Sequence, residues 1–168
     1  GVVGAACSGA SMAANAVLAP AGIPMISYAS TSPALSDATT YIDFFRVVPS
    51  DVGQSQAIAD LMAVNGEVST SAGGVAVIAA TDDYTAGLGN LFAGTASGEG
   101  TWGFDNICTR TDYTRPTTDY ATVVASTIND GCSAVALFAY NADGAAIITE
   151  LRSQGFTGEI YGTDGIAS

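Results

Sequence analysis

Short apolar runs alternate along this chain with segments whose apolar residues recur every three or four positions. The all-apolar run Gly74–Ala80 has the length of a strand buried on both faces, whereas Ile58, Leu61 and Met62 are spaced as on one face of a helix. The pattern predicts strands at Gly1–Gly4, Ile23–Ser27, Asp43–Val48, Gly74–Ala80, Thr101–Cys108, Ala134–Tyr140 and Glu159–Gly162. It predicts helices from Ser8 or Gly9 to Ala19, from Ser32 to Ser36, from Asp51 to Asn65, from Tyr84 to Ala93, from Asp119 to Asn129 and from Ala142 to Gln154.

Strands that alternate with helices predict an α/β fold with doubly wound parallel sheets. We expect two lobes: residues 1–48 supply only part of lobe one, residues 49–161 form lobe two, and residues 162–168 form the hinge and return toward lobe one. Ser50 and Asn141 are the expected N-caps of two helices of lobe two. Because the chain opens directly on an apolar strand, we expect its natural start, with a signal peptide in the precursor, to lie upstream.

Two turns rich in serine and threonine follow the first two predicted strands. They are Gly4–Ser11 and Ser27–Pro33, and each leads into a predicted helix. The carboxyl ends of parallel strands are where ligands bind in such sheets. Since backbone N–H groups and hydroxyls at a helix start favour a carboxylate, the turns indicate capture of a small anion or zwitterion.

Charge and composition narrow the classes of function. The net charge is −12 and histidine is absent, so we expect no nucleic acid as a partner. The lack of histidine excludes Ser-His-Asp and Cys-His catalysis and removes the commonest zinc ligand. The adjacent acids Asp82 and Asp83 more often cap a turn than perform acid–base chemistry. We therefore expect no enzyme, no cofactor and no metal, and the apolar runs are too short for insertion into a membrane.

The chain contains three cysteines without a C-x-x-C spacing. Cys108 lies within a predicted strand and Cys132 just before the next one, so the two can be neighbours in a sheet. They form either a disulfide, which is typical of an oxidising compartment outside the cytoplasm, or two buried free thiols. Cys7 is then the unpaired one.

Five segments resemble, in order and spacing, the leucine/isoleucine/valine-type periplasmic binding proteins, the type I solute-binding proteins of ABC importers. They are Gly1–Gly9, Gly22–Leu35, Phe45–Ser50, Asp82–Leu88 and Gly162–Gly165. The resemblance covers nearly the whole chain, which corresponds to the middle part of the longer family members. It implies two lobes that close on a ligand in the cleft between them.

The resemblance also implies a ligand-binding role for three residues of lobe one. Ser8 matches the position whose hydroxyl holds the α-carboxylate of an amino acid ligand. Ala29 matches a backbone carbonyl, and Thr31 a hydroxyl and N–H, that bind the α-amino and α-carboxylate groups. In this family Cys7 pairs with a cysteine upstream of the segment present here. The plainer interpretation is that Ser8 caps its helix and Thr31 orders its turn.

Three further residues carry the resemblance on the side of lobe two. Tyr84 matches a tyrosine that closes over the ligand, and Tyr140 stands at the position of another. Asp164 matches the acidic residue that pairs with the α-ammonium, which is a glutamate in the leucine-binding members. As alternatives, Tyr140 ends a core strand and Asp164 only forms a Gly-Thr-Asp-Gly turn.

The main hypothesis is a solute-binding protein, periplasmic or extracellular and either free or lipid-anchored, that captures an amino acid or close analogue and delivers it to an ABC permease in the membrane. The alternative is the ligand-sensing domain of a receptor or of an amide-responsive regulator. The third hypothesis, a carboxylate-dependent hydrolase, is disfavoured by the missing histidine.

Overall fold

The structure of the protein, a computed structural model, describes residues 1–66, 73–93 and 107–167. Within these ranges it contains seven strands and five α-helices. The strands are β1 (Val2–Val3), β2 (Met25–Ser27), β3 (Phe44–Arg46), β4 (Val75–Ala80), β5 (Ile107–Tyr113), β6 (Ala134–Phe138) and β7 (Glu159–Gly162). The helices are α1 (Ser8–Leu18), α2 (Asp51–Val64), α3 (Thr85–Ala93), α4 (Tyr120–Asn129) and α5 (Asn141–Ser153), with short 3₁₀ turns at Ala19–Ala21 and Pro33–Ser36.

The described strands form two parallel sheets. The first has the order β1-β2-β3, and the second has the order β5-β4-β6-β7. The predicted α/β fold with parallel sheets is therefore confirmed. None of the helices within the described ranges is long and apolar enough to span a membrane.

The second sheet lies between two layers of helices. Alternate residues of β4 point to opposite faces, because successive side chains of a strand alternate. Val75 and Val77 belong to the core with α2 and α3, whereas Ala76 and Ile78 belong to the core with α4 and α5. All six residues of β4 are buried, as the uninterrupted apolar run predicts for a central parallel strand.

The first sheet is covered less completely. Val3, Ile26 and Phe45 lie side by side in the register of β1, β2 and β3, and all three are exposed. Met25 and Ser27, which point to the other face of β2, are buried. Residues 1–46 thus form a sheet that buries one face of its central strand, in contrast to the sandwiched second sheet.

Most predicted boundaries differ from the structure by one or two residues, and two of the differences have a clear physical reason. The strand predicted to end at Cys108 continues to Tyr113, and the part predicted at residues 101–106 lies outside the described residues. The prediction stopped short because charged residues follow, but β5 is an edge strand where Arg110 and Asp112 pair with each other at 3.1 Å. Asn141 is the first residue of α5 rather than its N-cap, and its side chain donates to the carbonyl of Ile166 at 3.2 Å.

The two cysteines singled out above are joined in the structure. Cys108 on β5 and Cys132 before β6 form a disulfide with a Cα–Cα distance of 5.7 Å. It links the edge strand to the turn that follows α4. Cys7 is a free cysteine in this chain and is exposed.

Candidate functional site

The second sheet reverses its winding direction at β4. The chain passes from β4 to β5 on one side and then returns to β6 on the other side. In open parallel sheets, ligands bind in the crevice at the carboxyl ends of the two strands that flank such a reversal. Tyr84 follows β4 and Tyr140 follows β6, so both predicted tyrosines lie at this position, with ring centroids 5.4 Å apart.

Buried serine hydroxyls join the two turns of the first sheet. Ser27 Oγ donates to the carbonyl of Ala5 at 2.6 Å, and the hydroxyls of Ser11 and Ser30 are 2.8 Å apart. The backbone N–H of Ser32 donates to Ser8 Oγ at 3.1 Å. Ser8 therefore fixes the second turn against the start of α1. Because its oxygen accepts this bond, its O–H remains a donor for another acceptor.

The turns of both sheets meet around a cavity of about 160 Å³. Five of the six predicted binding residues line it: Ser8, Ala29, Tyr84, Tyr140 and Asp164. Thr31 instead lines an adjacent cavity of about 490 Å³, whose wall also includes Ala29 and Asp164. The structure thus brings the six residues to two cavities that share a boundary. Their roles in binding stay a prediction.

Tyr84 and Asp164 form the centre of a hydrogen-bond network at this boundary. The Tyr84 hydroxyl bonds Oδ1 of Asp164, and Gln54 Nε2 donates to the same oxygen at 2.8 Å. The backbone N–H of Gly165 donates to the Tyr84 hydroxyl at 3.2 Å. Burial raises the pKa of Tyr84, and the bond to Asp164 adds to the rise. The phenol therefore stays protonated at neutral pH.

Tyr140 is held from two sides. Its hydroxyl lies 3.2 Å from Oδ1 of Asp82, and the guanidinium carbon of Arg115 lies 4.3 Å from its ring centroid. Arg115 is in turn ion-paired with Asp143. Burial raises the pKa of Tyr140, and the charge of Asp82 adds to the effect. Tyr140 thus presents a fixed ring and a protonated hydroxyl to the cavity.

Asp51 is the residue that the sequence analysis missed. It is 1% exposed and lines the larger cavity. Neither of its carboxylate oxygens has a hydrogen-bond partner within the described parts of the chain, and the same is true of Thr31 Oγ1 and Gln54 Oε1. Four buried acceptor-capable atoms therefore surround one space. From the sequence, Asp51 is explained as an ordinary acid in the first turn of α2. Only its burial in the structure marks it as a candidate site residue.

The backbone explains how Asp51 reaches this position. Ser50 caps α2 by accepting from the N–H of Val52 at 3.4 Å, as predicted. The N–H of Asp51 donates to the carbonyl of Thr31 at 2.9 Å. This bond ties the start of α2 to the second turn of the first sheet and sets the carboxylate beside Thr31.

The carboxylate of Asp51 is poised to titrate near neutral pH. Burial raises its pKa to about 6, and the charge of Asp164 contributes to the rise. Two groups oppose this rise in the pKa of Asp51: the Thr31 hydroxyl, which is close but not in hydrogen-bonding geometry, and the Arg46 guanidinium. A cation placed between Asp51 and Asp164 would restore the ionised form.

A comparison with known families identifies the kind of domain. The sequence profile of the receptor family ligand binding region matches residues 1–167. The chain belongs to this family. The receptor ligand-binding regions have a type I periplasmic-binding-like fold, which agrees with the two parallel sheets and the helices described above.

Parts of three metabotropic glutamate receptors are similar to this member of the family. Receptor 8 of Homo sapiens is 50% identical over 66 residues, which are 39% of this chain and 7% of the receptor. Receptor 6 of Oryctolagus cuniculus is 52% identical over 61 residues, or 36% of this chain and 7% of the receptor. Receptor 4 of Rattus norvegicus is 50% identical over 62 residues, or 37% and 7%.

Each match thus spans only a small part of the receptor. The matched relatives are receptors, so the narrower expectation of a leucine/isoleucine/valine-type ABC binding protein gains no support from them.

The tight packing at Gly165 can be tested directly. A Cβ atom there would lie 2.8 Å from the carbonyl oxygen of Ala139 and 2.9 Å from the Tyr84 ring. Gly165→Ala must therefore displace the ring or the turn, and we expect a loss of about 1–3 kcal/mol in the free energy of unfolding, as for other overpacked sites. Urea denaturation measures the change.

Gly87→Ala is the matched control for this substitution. Gly87 is a glycine of α3 with no atom within 4 Å of an added Cβ, so alanine should stabilise the helix by up to about 1 kcal/mol. A Gly165→Ala variant as stable as the wild type would contradict the packing of Tyr84 on this turn.

Proposed function

We propose that this chain is part of the ligand-sensing domain of a receptor and that it binds a free amino acid between its two sheets. The observation that carries the proposal is the group of buried oxygens on Thr31, Asp51 and Gln54 that find no hydrogen-bond partner among the described residues and lie beside Asp164. Buried polar atoms in proteins nearly always have a partner. Four of them around one space favour a ligand that supplies the missing donors.

The chemistry of these atoms selects a cationic donor. A carboxylate and an amide oxygen can only accept, and two carboxylates that face one space repel each other unless a positive charge lies between them. Among the residues that the structure describes, no arginine lines either cavity. An α-ammonium group, with its positive charge and three N–H donors, satisfies Asp51 and Asp164 together.

Donors on the opposite wall suit the α-carboxylate. The hydroxyl of Ser8 faces the smaller cavity from the first turn of α1. The N–H groups of a first helical turn lack intrahelical partners and favour a negative charge. The rings of Tyr84 and Tyr140 cover the space from the second sheet and exclude water. Their hydroxyl protons go to Asp164 and Asp82, so that toward a ligand these oxygens act as acceptors.

Family membership and the named relatives favour a sensor over an importer. The similar proteins are named as metabotropic glutamate receptors, so an acidic or other small amino acid and an extracellular location are the expectations that we carry over. Delivery to an ABC permease is the second candidate, and it rests on the resemblance of the sequence motifs alone. A sensor requires this domain to be joined to a membrane or signalling segment in the full-length protein, whereas an importer's binding protein does not.

We further propose that the site binds its ligand without converting it. Its walls offer carboxylates, hydroxyls and tyrosines but neither of the histidine-based nucleophile arrangements. Recovery of an added amino acid unchanged after prolonged incubation is the expected result, and release of a product would contradict this part of the proposal.

A thermal-shift screen of the full-length protein tests the proposal. After unfolding and refolding to remove bound ligand, the protein is heated with each common amino acid, urea, short amides and aromatic acids. A ligand at about 100 times its dissociation constant adds roughly 2.7 kcal/mol of stability. We expect a shift with at least one amino acid. Asp164→Ala should weaken the binding of that amino acid by about 2–5 kcal/mol, because its ammonium group then keeps only Asp51 as a carboxylate partner.

Asp60→Ala provides the control for Asp164→Ala. Asp60 is exposed on α2 and accepts from Gln56 at 2.7 Å, away from both cavities. Its removal should leave the affinity unchanged. A screen in which only uncharged amides or acids raise the melting temperature would overturn the ammonium assignment.

Asp51→Asn should move stability and affinity in opposite directions. The pKa of Asp51 is about 6 in the folded protein against an ordinary 3.8, so its contribution to stability is fully present below about pH 4 and is lost as the pH rises through 6. At pH 7 the asparagine variant should therefore unfold at a higher urea concentration than the wild type, and the difference should shrink at pH 5. The same variant should bind the amino acid more weakly at pH 7.

Asp60→Asn serves as the control for the pH dependence, since Asp60 is exposed. A variant at Asp51 that is destabilised at pH 7, or that binds as tightly as the wild type, would show that this carboxylate is not held ready for a ligand.

A further inference from the structure

A contact outside the two cavities joins the first turn of α1 to the loop after β4. A Cβ atom built on Gly9 would lie 2.6 Å from Oδ2 of Asp83 and 3.8 Å from the Cβ of Asp83. Gly9 is the second residue of α1 and belongs to the first sheet's layer, whereas Asp83 lies between β4 and α3 of the second. Their neighbours Ser8 and Tyr84 line the smaller cavity, so the contact lies at its rim.

The start of α1 is a favourable place for the Asp83 carboxylate. The first N–H groups of a helix have no intrahelical partner, and the helix dipole adds a partial positive charge, so a carboxylate is stabilised there. α1 has 11 residues, long enough for this effect. Glycine at the second position leaves room for the carboxylate, since a side chain on Gly9 would push the exposed Asp83 carboxylate away from this turn.

We propose that Asp83 determines affinity for the ligand without touching it. Its carboxylate lies against the first turn of α1 and so holds the two sheets together over the bound amino acid. Opening the cleft would separate Asp83 from Gly9. The contact should therefore slow release of the ligand. This effect on affinity rests on the proposed function, whereas the contact between the sheets does not.

A purely local role for either residue predicts different behaviour. If Asp83 only ordered its own turn, Asp83→Asn would leave affinity unchanged. If Gly9 were only a weak helix former, Gly9→Ala would stabilise α1 without affecting binding. The proposal instead couples the two residues, although 74 positions separate them in the chain.

Disulfide trapping in the full-length protein tests the contact without any ligand. A Cβ built on Gly9 lies 3.8 Å from the Cβ of Asp83, which falls within the range of natural disulfides. The double variant Gly9→Cys/Asp83→Cys should therefore form a bond between these positions under mild oxidation, as peptide mapping would show. The control Gly9→Cys/Asp130→Cys should not, because Asp130 lies after α4 at the other end of the second sheet. Cross-linking no faster than in the control would overturn the proposed contact.

A double-mutant cycle tests the effect on affinity, with an equimolar mixture of the common L-amino acids as the probe. Asp83→Asn and Asp83→Ala should each weaken the apparent affinity about two- to fivefold, as expected for the loss of an anion at a helix N-terminus. Gly9→Ala should weaken it similarly in the wild type but have no further effect in the Asp83→Ala background. Gly87→Ala, the helical glycine with open space around it, should leave binding unchanged.

The outcomes separate the two claims. If the cysteines cross-link but the wild type binds none of the amino acids in the mixture, the contact is supported and the proposed function is contradicted. Cross-linking with unchanged affinity in Asp83→Asn would overturn the role of Asp83 in binding. Weaker binding in both single variants that is not additive in the cycle would support the inference.

Discussion

The buried carboxylate of Asp51 is the constraint on which the rest of this site depends. It lies beside the second carboxylate of Asp164 and has no hydrogen-bond partner in the described part of the chain. Removing a charge from water is costly unless an opposite charge and hydrogen bonds replace the solvent. The protein holds Asp51 in this position by a cap at Ser50 and a backbone bond to Thr31. Burial accordingly raises its pKa to about 6. A cationic ligand would offset the repulsion between the two carboxylates and donate the hydrogen bonds that Asp51 lacks.

The two sheets supply what the carboxylates lack. Serine hydroxyls bind the two turns of the first sheet into one unit, so that Ser8 is fixed at the start of α1. The second sheet places Tyr84 and Tyr140 at its reversal of winding, where parallel sheets bind ligands. In the proposed site, donors for a carboxylate, acceptors for an ammonium and apolar rings thus come from elements of both sheets.

The fold could be predicted largely because its signals are local. The apolar run at β4, the cap at Ser50 and the glycine after α5 each specify an element by themselves. The errors occurred where tertiary context decides. The edge strand β5 carries an ion pair, and Asn141 lies in the first turn of α5 and donates to the carbonyl of the distant Ile166. The cavity residues were placed through a resemblance of motifs. Asp51 was missed because an acid in the first turn of a helix has a sufficient local explanation. For the same reason Asp83 was interpreted only as a turn acid.

The most direct test of the account is the number of protons exchanged when the amino acid binds. Calorimetric titrations at pH 6 in two buffers of different ionisation enthalpy measure this number. If the ligand's ammonium stabilises the ionised form of Asp51, whose pKa is about 6 without ligand, binding must release a fraction of a proton at pH 6 and none at pH 8. Release should disappear in Asp51→Asn. Binding without proton release at pH 6 would contradict the claim that Asp51 is partly protonated before binding and is ionised by a cationic ligand.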